Sequence, residues 1–230
     1  SCGMPITSEE QFGRNADGSK NEDYCSYCYR DGAFTENCTM DEMIDHCLQF
    51  LDEFNKDKMH LGYPIIASSL DTIPNADEFV YFIAIGNNAK RKIWYDRLVE
   101  RNLSIINVVD RTAIISPHAK IGIGCFVGKM AIINSNAEVG NDCIINTKSL
   151  IEHGCCVGNH ANLSTNSVIN GDVVIGDGCF IGSSSVTIGQ LSIGSWSTIG
   201  AGAVVTRTVG SNVTAAGVPA RVIREGSMLG

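Results

Sequence analysis

The sequence predicts a mainly β chain, most of it one parallel β-helix, and three observations carry that prediction. From Ile115 to Val205 every sixth residue is aliphatic, through Val127, Ile133, Ile145, Ile151, Leu163, Ile175 and Ile199, with Thr187 the one polar member. A second set with the same period starts at Ala119 and runs through Cys125, Ala137, Cys143, Ser149, Cys155, Ala161, Cys179 and Ala203, small at nearly every step. Glycine directly follows the aliphatic residue at 122, 128, 140, 158, 176, 182, 194 and 200. A six-residue period with one aliphatic and one small position builds a coil of three short strands, so three repeats return the chain to the same edge. The aliphatic residues fill a narrow interior, the small ones fit its corners, and glycine is expected to relieve the turns through its tolerance of positive φ. Cys125, Cys143, Cys155 and Cys179 are then small core residues rather than metal ligands.

The elements before the β-helix follow in order. Residues 1–40 are polar and carry four of the ten cysteines. Residues 41–59 place Met43, Ile44, Cys47, Leu48, Leu51 and Phe54 at helical spacing and predict one linking helix, with Thr39 and Glu42 as a capping box. Residues 60–112 read as a partial α/β domain. Tyr81-Phe82-Ile83-Ala84-Ile85 is an apolar run suited to a strand buried on both faces, 90–102 is a helix with Ile93, Trp94, Leu98 and the stem of Arg97 inward, and 103–109 is a second strand. The β-helix spans 113–210, about five coils, and 211–230 is a C-terminal tail.

Charge narrows the function. The formal net charge is −8, and the 17 Lys and Arg form no dense run, which argues against nucleic acid. No apolar stretch is long enough to span a membrane. The opening Ser1-Cys2-Gly3-Met4-Pro5 lacks the regions of a signal peptide, so a reducing cytoplasm is the expected compartment.

A β-helix is a scaffold, and chemistry must come from residues that break its pattern. The position after the aliphatic residue is mostly Gly, Asn or Ser, but after Ile151 it is Glu152, followed by His153. Gly171 stands one coil, three repeats, beyond His153. An imidazole base beside a free backbone N–H is the minimum equipment for acyl transfer, combining proton removal with oxyanion stabilisation. A carboxylate beside the histidine would raise its basicity. A lone exposed histidine beside an acid is more often a solvated surface pair, and it is the Gly171 spacing that favours the functional reading.

The stretch Ile145-Asn146-Thr147-Lys148-Ser149-Leu150-Ile151-Glu152-His153, followed by Val157-Gly158, resembles the active-site segment of hexapeptide-repeat sugar acetyltransferases. The branch it is similar to acetylates UDP-linked 4-amino sugars or sialic acid hydroxyls. Ile83-Ala84-Ile85-Gly86-Asn87-Asn88 with Arg91 resembles the end of that family's sugar-nucleotide domain, and Gly217-Val218-Pro219-Ala220-Arg221 its tail. The resemblance implies a left-handed β-helix, a homotrimer with sites between neighbouring copies, and acetyl-CoA as co-substrate. It implies His153 as general base, Glu152 as its partner and Gly171 as donor to the thioester oxygen. It further implies cofactor contacts at Asn162, Ser183 and Ala201 and sugar-nucleotide contacts at Gly86, Asn87 and Asn88. Asn162 departs from the family, where histidine is common. The glycine-rich loop that opens the family's nucleotide domain is missing, and Leu61-Gly62-Tyr63-Pro64 joins the pattern midway. In its place, Cys2-Gly3-Met4-Pro5, Asn15-Ala16-Asp17-Gly18-Ser19 and Tyr24-Cys25-Ser26-Tyr27-Cys28 resemble a bacterial zinc ribbon, implying Zn²⁺ on Cys2, Cys25 and Cys28 with Cys38 or His46 as candidate fourth ligands.

The expected function is therefore acetyl-CoA-dependent acetylation of an amino or hydroxyl group of a small-molecule sugar by direct attack. The alternatives are an acyltransferase for a non-sugar acceptor and a non-catalytic trimeric binding module. A carbonic anhydrase on this scaffold needs three zinc-binding histidines, and His118, His153 and His160 lack the spacing. A thiol acyl-enzyme on Cys155 is disfavoured because its phase points it inward.

Overall fold

Three parallel sheets wrap one interior. The computed structural model describes residues 8–26, 29–34, 59–60 and 62–225. The chain forms two compact units, 1–76 and 77–230. The second is mainly a left-handed parallel β-helix of about six turns. Its first face stacks Val108–Val109, Phe126–Val127, Ile144–Ile145, Asn162–Leu163, Phe180–Ile181 and Thr198–Ile199, closed by Val213–Ala216 and the antiparallel Arg221–Glu225. The second face runs from Ile114–Ile115 through Leu150–Ile151 and Val168–Ile169 to Val204–Val205, and the third from Lys120–Ile121 through Cys156–Val157 to Ser192–Ile193. Rungs pair in the register the repeat demands, Phe126 with Ile144 and Leu150 with Val168. The final coil is shorter, because Thr198 pairs with Thr214.

The interior is the two periodic sets. Ile133, Ile145, Ile151, Leu163, Ile169, Ile181 and Ile199 are all 0% exposed, and each such side chain contributes about 1.5–3 kcal/mol of hydrophobic burial. The small positions also donate. The Sγ atoms of Cys125, Cys143, Cys155 and Cys179 each lie 3.1 Å from a carbonyl oxygen of the neighbouring coil, those of Gly140, Gly158, Asn170 and Gly194. Ser149 Oγ does the same toward Ser164 O at 3.0 Å. Buried Cys and Ser thus bring a donor to corner carbonyls that Ala would leave alone. All five β-helix cysteines are free thiols.

The reason for the repeat glycines differs from the sequence expectation. Gly176 and Gly182 do not have positive φ; a Cβ on Gly182 would lie 2.5 Å from the nitrogen of Ala201 and 2.6 Å from Ile199 O. These glycines permit coil-to-coil approach. The left-handed residue sits two positions later and is usually not glycine: Asp142, His160, Ser184 and Trp196 have φ between 55° and 59°.

Before the β-helix, Val80–Tyr81 pairs in parallel with Ser104–Ile105, and α1 spans Asn88–Glu100. The strand expected over 81–85 is only this short pair, with Ala84 exposed. The strand expected over 103–109 divides, its second half, Val108–Val109, becoming the first rung of the β-helix. The inward face of α1 is also corrected. Asn88, Arg91 and Leu98 are buried, whereas Ile93 is 51% exposed. Polar residues can take that face because β-helix carbonyls receive their donors.

In the first unit, Phe12–Arg14 pairs antiparallel with Lys20–Cys25, and Tyr29–Arg30 with Ala33–Phe34. Tyr24, Tyr29 and Phe34 form a ring cluster with centroids 5.0–5.4 Å apart. The turn between the first two strands closes on Asp17, whose Oδ1 accepts the Ser19 N–H at 2.9 Å. The helix expected over 41–59 lies outside the described residues, apart from Met59, which begins the short strand Met59–His60.

Candidate active site

Strand Leu150–Ile151 belongs to the second face, and burial of Ile151 fixes its phase. The chain then turns at His153 and Gly154. The corner is pinned on both sides: Gly154 N–H donates to Ser135 O at 3.2 Å on the coil before, and Asp172 N–H donates to His153 O at 3.0 Å from the coil after. The His153 side chain is exposed and lies across Gly171. A Cβ on Gly171 would stand 2.7 Å from His153 Cε1, 2.8 Å from Nε2 and 3.3 Å from Nδ1. The carbonyl of Gly171 accepts from Gln190 N–H at 3.0 Å, while its own N–H donates to no protein acceptor among the described residues. The imidazole therefore packs over a glycine whose N–H is unengaged among the described residues.

Glu152 is placed differently from the expectation. Its Oε2 accepts from Asn134 Nδ2 at 2.9 Å, one coil back, and it makes no described hydrogen bond to His153. Glu152 follows the strand Leu150–Ile151 and His153 opens the turn, so the backbone changes direction between them and adjacency in sequence does not by itself bring carboxylate and ring together.

The neighbouring thiols divide. Cys155 is 0% exposed and burial raises its pKa, which makes a nucleophilic thiolate costly. Cys156 is exposed on the third face.

The expected cofactor residues lie in two places. Ser183 and Ala201 are stacked one coil apart at the corner between the first and second faces, where Ser183 Oγ lies 2.8 Å from Ser164 Oγ. Asn162 is on the first face, 6% exposed, with Nδ2 donating to Gly86 O at 3.2 Å and Oδ1 without a partner among the described residues. Of the expected substrate residues, Gly86 is exposed and Asn87 caps α1, its Oδ1 accepting from Lys90 N–H at 2.9 Å. Asn88 is a correction. Its amide donates to Gly178 O and Cys179 O at 3.0 Å and its oxygen accepts from Arg91, so both ends are spent on packing and the residue is 2% exposed.

A cage behind this loop has no counterpart among the sequence expectations. Arg91 is 1% exposed and donates to the carbonyls of Ile85, Gly86, Asp142 and His160 at 3.1, 3.3, 3.0 and 2.7 Å. Asp142 accepts from both Arg91 and His160, the latter at Nδ1 and 2.8 Å. The available signal was a column at three-repeat spacing: Gly124, Asp142, His160, Gly178 and Trp196 all sit at one left-handed corner, and the first four meet residues of α1. His160 is thereby a structural tie.

Of the expected zinc ligands, Cys2 and Cys28 lie outside the described residues, as do Cys38 and His46, while Cys25 ends the strand Lys20–Cys25. Among the described residues no three His, Cys, Asp or Glu side chains gather as a metal site.

A β-helix that lays a histidine across a free amide is the framework of a hexapeptide-repeat acyltransferase. Residues 172–207 match the family "Bacterial transferase hexapeptide (six repeats)", and residues 1–72 match "Putative zinc ribbon domain". Among solved structures, PerB from Caulobacter crescentus, in complex with CoA and GDP-perosamine, is 31% identical with a TM-score of 0.69, covering 72% of this chain and 81% of that one. A histidine-to-asparagine variant of perosamine N-acetyltransferase from Caulobacter crescentus, with the same two molecules, is 28% identical with a TM-score of 0.67, covering 72% and 80%. The acetyltransferase domain of PglB from Neisseria gonorrhoeae, with acetyl coenzyme A, is 26% identical with a TM-score of 0.69, covering 73% and 83%. The chain belongs to the family of hexapeptide-repeat sugar acetyltransferases.

Proposed function

We propose that the chain moves the acetyl group of acetyl-CoA onto an amino group of a nucleotide-linked sugar by direct attack, with His153 as general base. The observation that carries this reading is the His153 ring lying across Gly171, whose N–H is unengaged among the described residues. The acceptor nitrogen attacks the thioester carbonyl, forming a C–N bond and a tetrahedral oxyanion, which then collapses with cleavage of the C–S bond. His153 takes the proton lost by the nitrogen and returns it to the departing sulfur. The Gly171 N–H stabilises the oxyanion. Family membership and the CoA and sugar nucleotide bound to PerB support both substrates.

The homotrimer belongs to the same proposal. His153 with Gly171, Ser183 with Ala201, and Asn162 with Gly86 occupy separate places on one β-helix, so a neighbouring copy is needed to gather them. The second face offers the surface: Ile114, Ile132, Leu150, Val168, Val186 and Val204 form an outward aliphatic ladder, with Ile114 63% exposed. The zinc-ribbon match supports thiolate ligation of Zn²⁺ by Cys2, Cys25 and Cys28. A cytoplasmic location is supported by the free β-helix thiols, and no helix among the described residues is long and apolar enough to cross a membrane.

The test is acetyl transfer to a panel of nucleotide-linked amino sugars by His153→Ala and Cys155→Ser. The expected result is a loss of roughly 10²–10⁴-fold for the histidine variant and near-normal turnover for the cysteine variant. A dead cysteine variant beside an active histidine variant would replace this mechanism with a thiol acyl-enzyme.

A further inference from the structure

Three cations far apart in the sequence meet at one edge of the β-helix. Arg111, Lys129 and Lys148 fall in the turns between the first and second faces, in successive coils. Arg111 and Lys129 stand three repeats apart, and Lys148 directly follows Thr147, the next position of that column. The turns are tied together: Met130 N–H donates to Thr112 Oγ1 at 3.0 Å, and Lys148 N–H donates to Lys129 O at 2.8 Å. With neighbouring rungs about 4.8 Å apart, the three turns span roughly 10 Å. All three side chains are exposed, and none makes a side-chain hydrogen bond or ion pair among the described residues. Of residues 110–113, 128–131 and 146–149, Asp110 alone is acidic. Its Oδ1 is engaged by Thr112 N–H and Oγ1 at 2.9 and 2.7 Å. Those bonds do most to hold its carboxyl below the usual range, and the charges of Lys129 and Arg111 add to them.

Further along, the same edge is uncharged, running through Thr165 and Ser183 to Ala201. A chain of net charge −8 thus concentrates positive charge on one half of one edge. The opposite edge of the second face carries His153, six residues after Thr147 in the same coil. Around a threefold axis along the β-helix, with second faces inward, the first edge of one copy meets the second edge of the next at equal height. Lys148 then stands level with the neighbour's histidine turn, whose acid, Glu152, already accepts from Asn134. Lys129 stands level with Ser135 and Asn136, and Arg111 with Pro117 and His118, none of which is a carboxylate.

We propose that Arg111, Lys129 and Lys148 hold the diphosphate of the nucleotide-linked acceptor while its sugar reaches the histidine of the neighbouring copy. A guanidinium and two ammonium groups in a row meet the oxygens of two linked phosphates at several points. Coenzyme A also carries a diphosphate, but the basic half of the edge leads away from Ser183 and Ala201, the expected cofactor contacts. Acceptor and acetyl-CoA therefore approach the base from opposite ends. This rests on the acceptor being nucleotide-linked and on the trimer with its second faces inward.

The experiment uses the full chain and Arg111→Gln, Lys129→Gln, Lys148→Gln, Lys129→Arg and the double variant Arg111→Gln with Lys129→Gln. Binding of UDP and GDP is read by calorimetry. Turnover gives KM for a nucleotide-linked amino sugar, for the same amino sugar without its nucleotide, and for acetyl-CoA. The expected result is an acceptor KM raised about tenfold by each glutamine and about 10²-fold by the double variant, with kcat held. Nucleoside diphosphate binding weakens in parallel, Lys129→Arg behaves as the parent, and the other two KM values stay within about twofold. Unchanged acceptor KM and unchanged UDP and GDP binding in the double variant overturn the assignment. A rise in the acetyl-CoA KM alone gives the cations to the cofactor and overturns it too. So does a double variant that sediments as a monomer, which makes them interface ties. A parent chain that binds UDP or GDP through these residues but acetylates no nucleotide-linked sugar defeats the acetylation reading alone.

Discussion

Arg91 Nε and Asp142 Oδ2 meet at 3.3 Å with side chains 1% and 0% exposed, joining α1 to a β-helix corner far along the chain. Burial lowers the Arg91 pKa and the Asp142 charge opposes that shift. Such a pair costs desolvation to form, but removing one partner leaves the other charge unpaired, typically at about 3–5 kcal/mol. Arg91→Ala is expected to lose stability on that scale, with the amides of α1 exchanging faster while those of the central β-helix strands keep their protection. Arg91→Lys should recover little, because an ammonium cannot spread its donors over the carbonyls of Ile85, Gly86, Asp142 and His160 as a guanidinium does. Hydrogen exchange read segment by segment checks both.

Legibility followed periodicity. Ile151 and Leu163 could be assigned to the interior from the sequence because each repeats a choice made many times over, and the same arithmetic brought Gly171 to His153. The Arg91 cage was hidden because its acceptors are backbone carbonyls, which every residue carries and no composition reveals. Ile93 was placed inward on hydrophobicity alone, although Asn88 and Arg91 could be buried more favourably once those carbonyls were in reach. Glu152 turns to Asn134, whose amide stands three repeats back on the neighbouring coil, a contact that adjacency to His153 does not reveal. The repeat glycines were explained by φ when the limit was the next coil's backbone, a contact that exists only after folding. Cys2 belongs to no period and rests on the resemblance alone, while Cys28 also stands in a Cys-x-x-Cys spacing with Cys25 that suits a thiolate pair on Zn²⁺.

Burial pushes the Cys179 thiol up to about 11 from its ordinary 9.0. The raised value belongs to the folded state, so its contribution to stability is whole below pH 9, where both states are neutral. As pH rises toward 11 the unfolded chain ionises first, and stability falls by about 2–3 kcal/mol from this group. Urea unfolding at pH 8 and pH 11 should therefore show a smaller alkaline loss for Cys179→Ala than for the parent chain. An equal loss in both would assign the alkaline sensitivity to other groups.

Val168 stands between Leu150 and Val186 on the outward ladder of the second face. The cores of protein interfaces exclude charge, so a glutamate in the middle of this ladder should be tolerated by an isolated coil and rejected by a trimer. Val168→Glu is expected to sediment as a monomer with the circular dichroism of a folded β-helix, and to lose acetyl transfer because the site's parts no longer meet. A variant that remains trimeric would move the interface to another face.

Gly171→Ala isolates catalysis from folding. The added Cβ would stand 2.7 Å from His153 Cε1 and 2.8 Å from Nε2, closer than atoms tolerate, and what it meets is the end of an exposed, flexible side chain rather than backbone. The ring can swing away at little cost, so the melting temperature should barely move. The displaced imidazole then no longer faces the acceptor nitrogen across the Gly171 N–H, and a shift of about 1 Å in a catalytic group can cost 10²-fold in rate. The expected signature is a fall in kcat on that scale with CoA binding, read by calorimetry, unchanged. Because Gly171→Ala keeps its backbone N–H, the loss would come from the misplaced base and not from a missing oxyanion donor. Full activity in a folded Gly171→Ala trimer would mean that the ring position seen here is not the one used in catalysis.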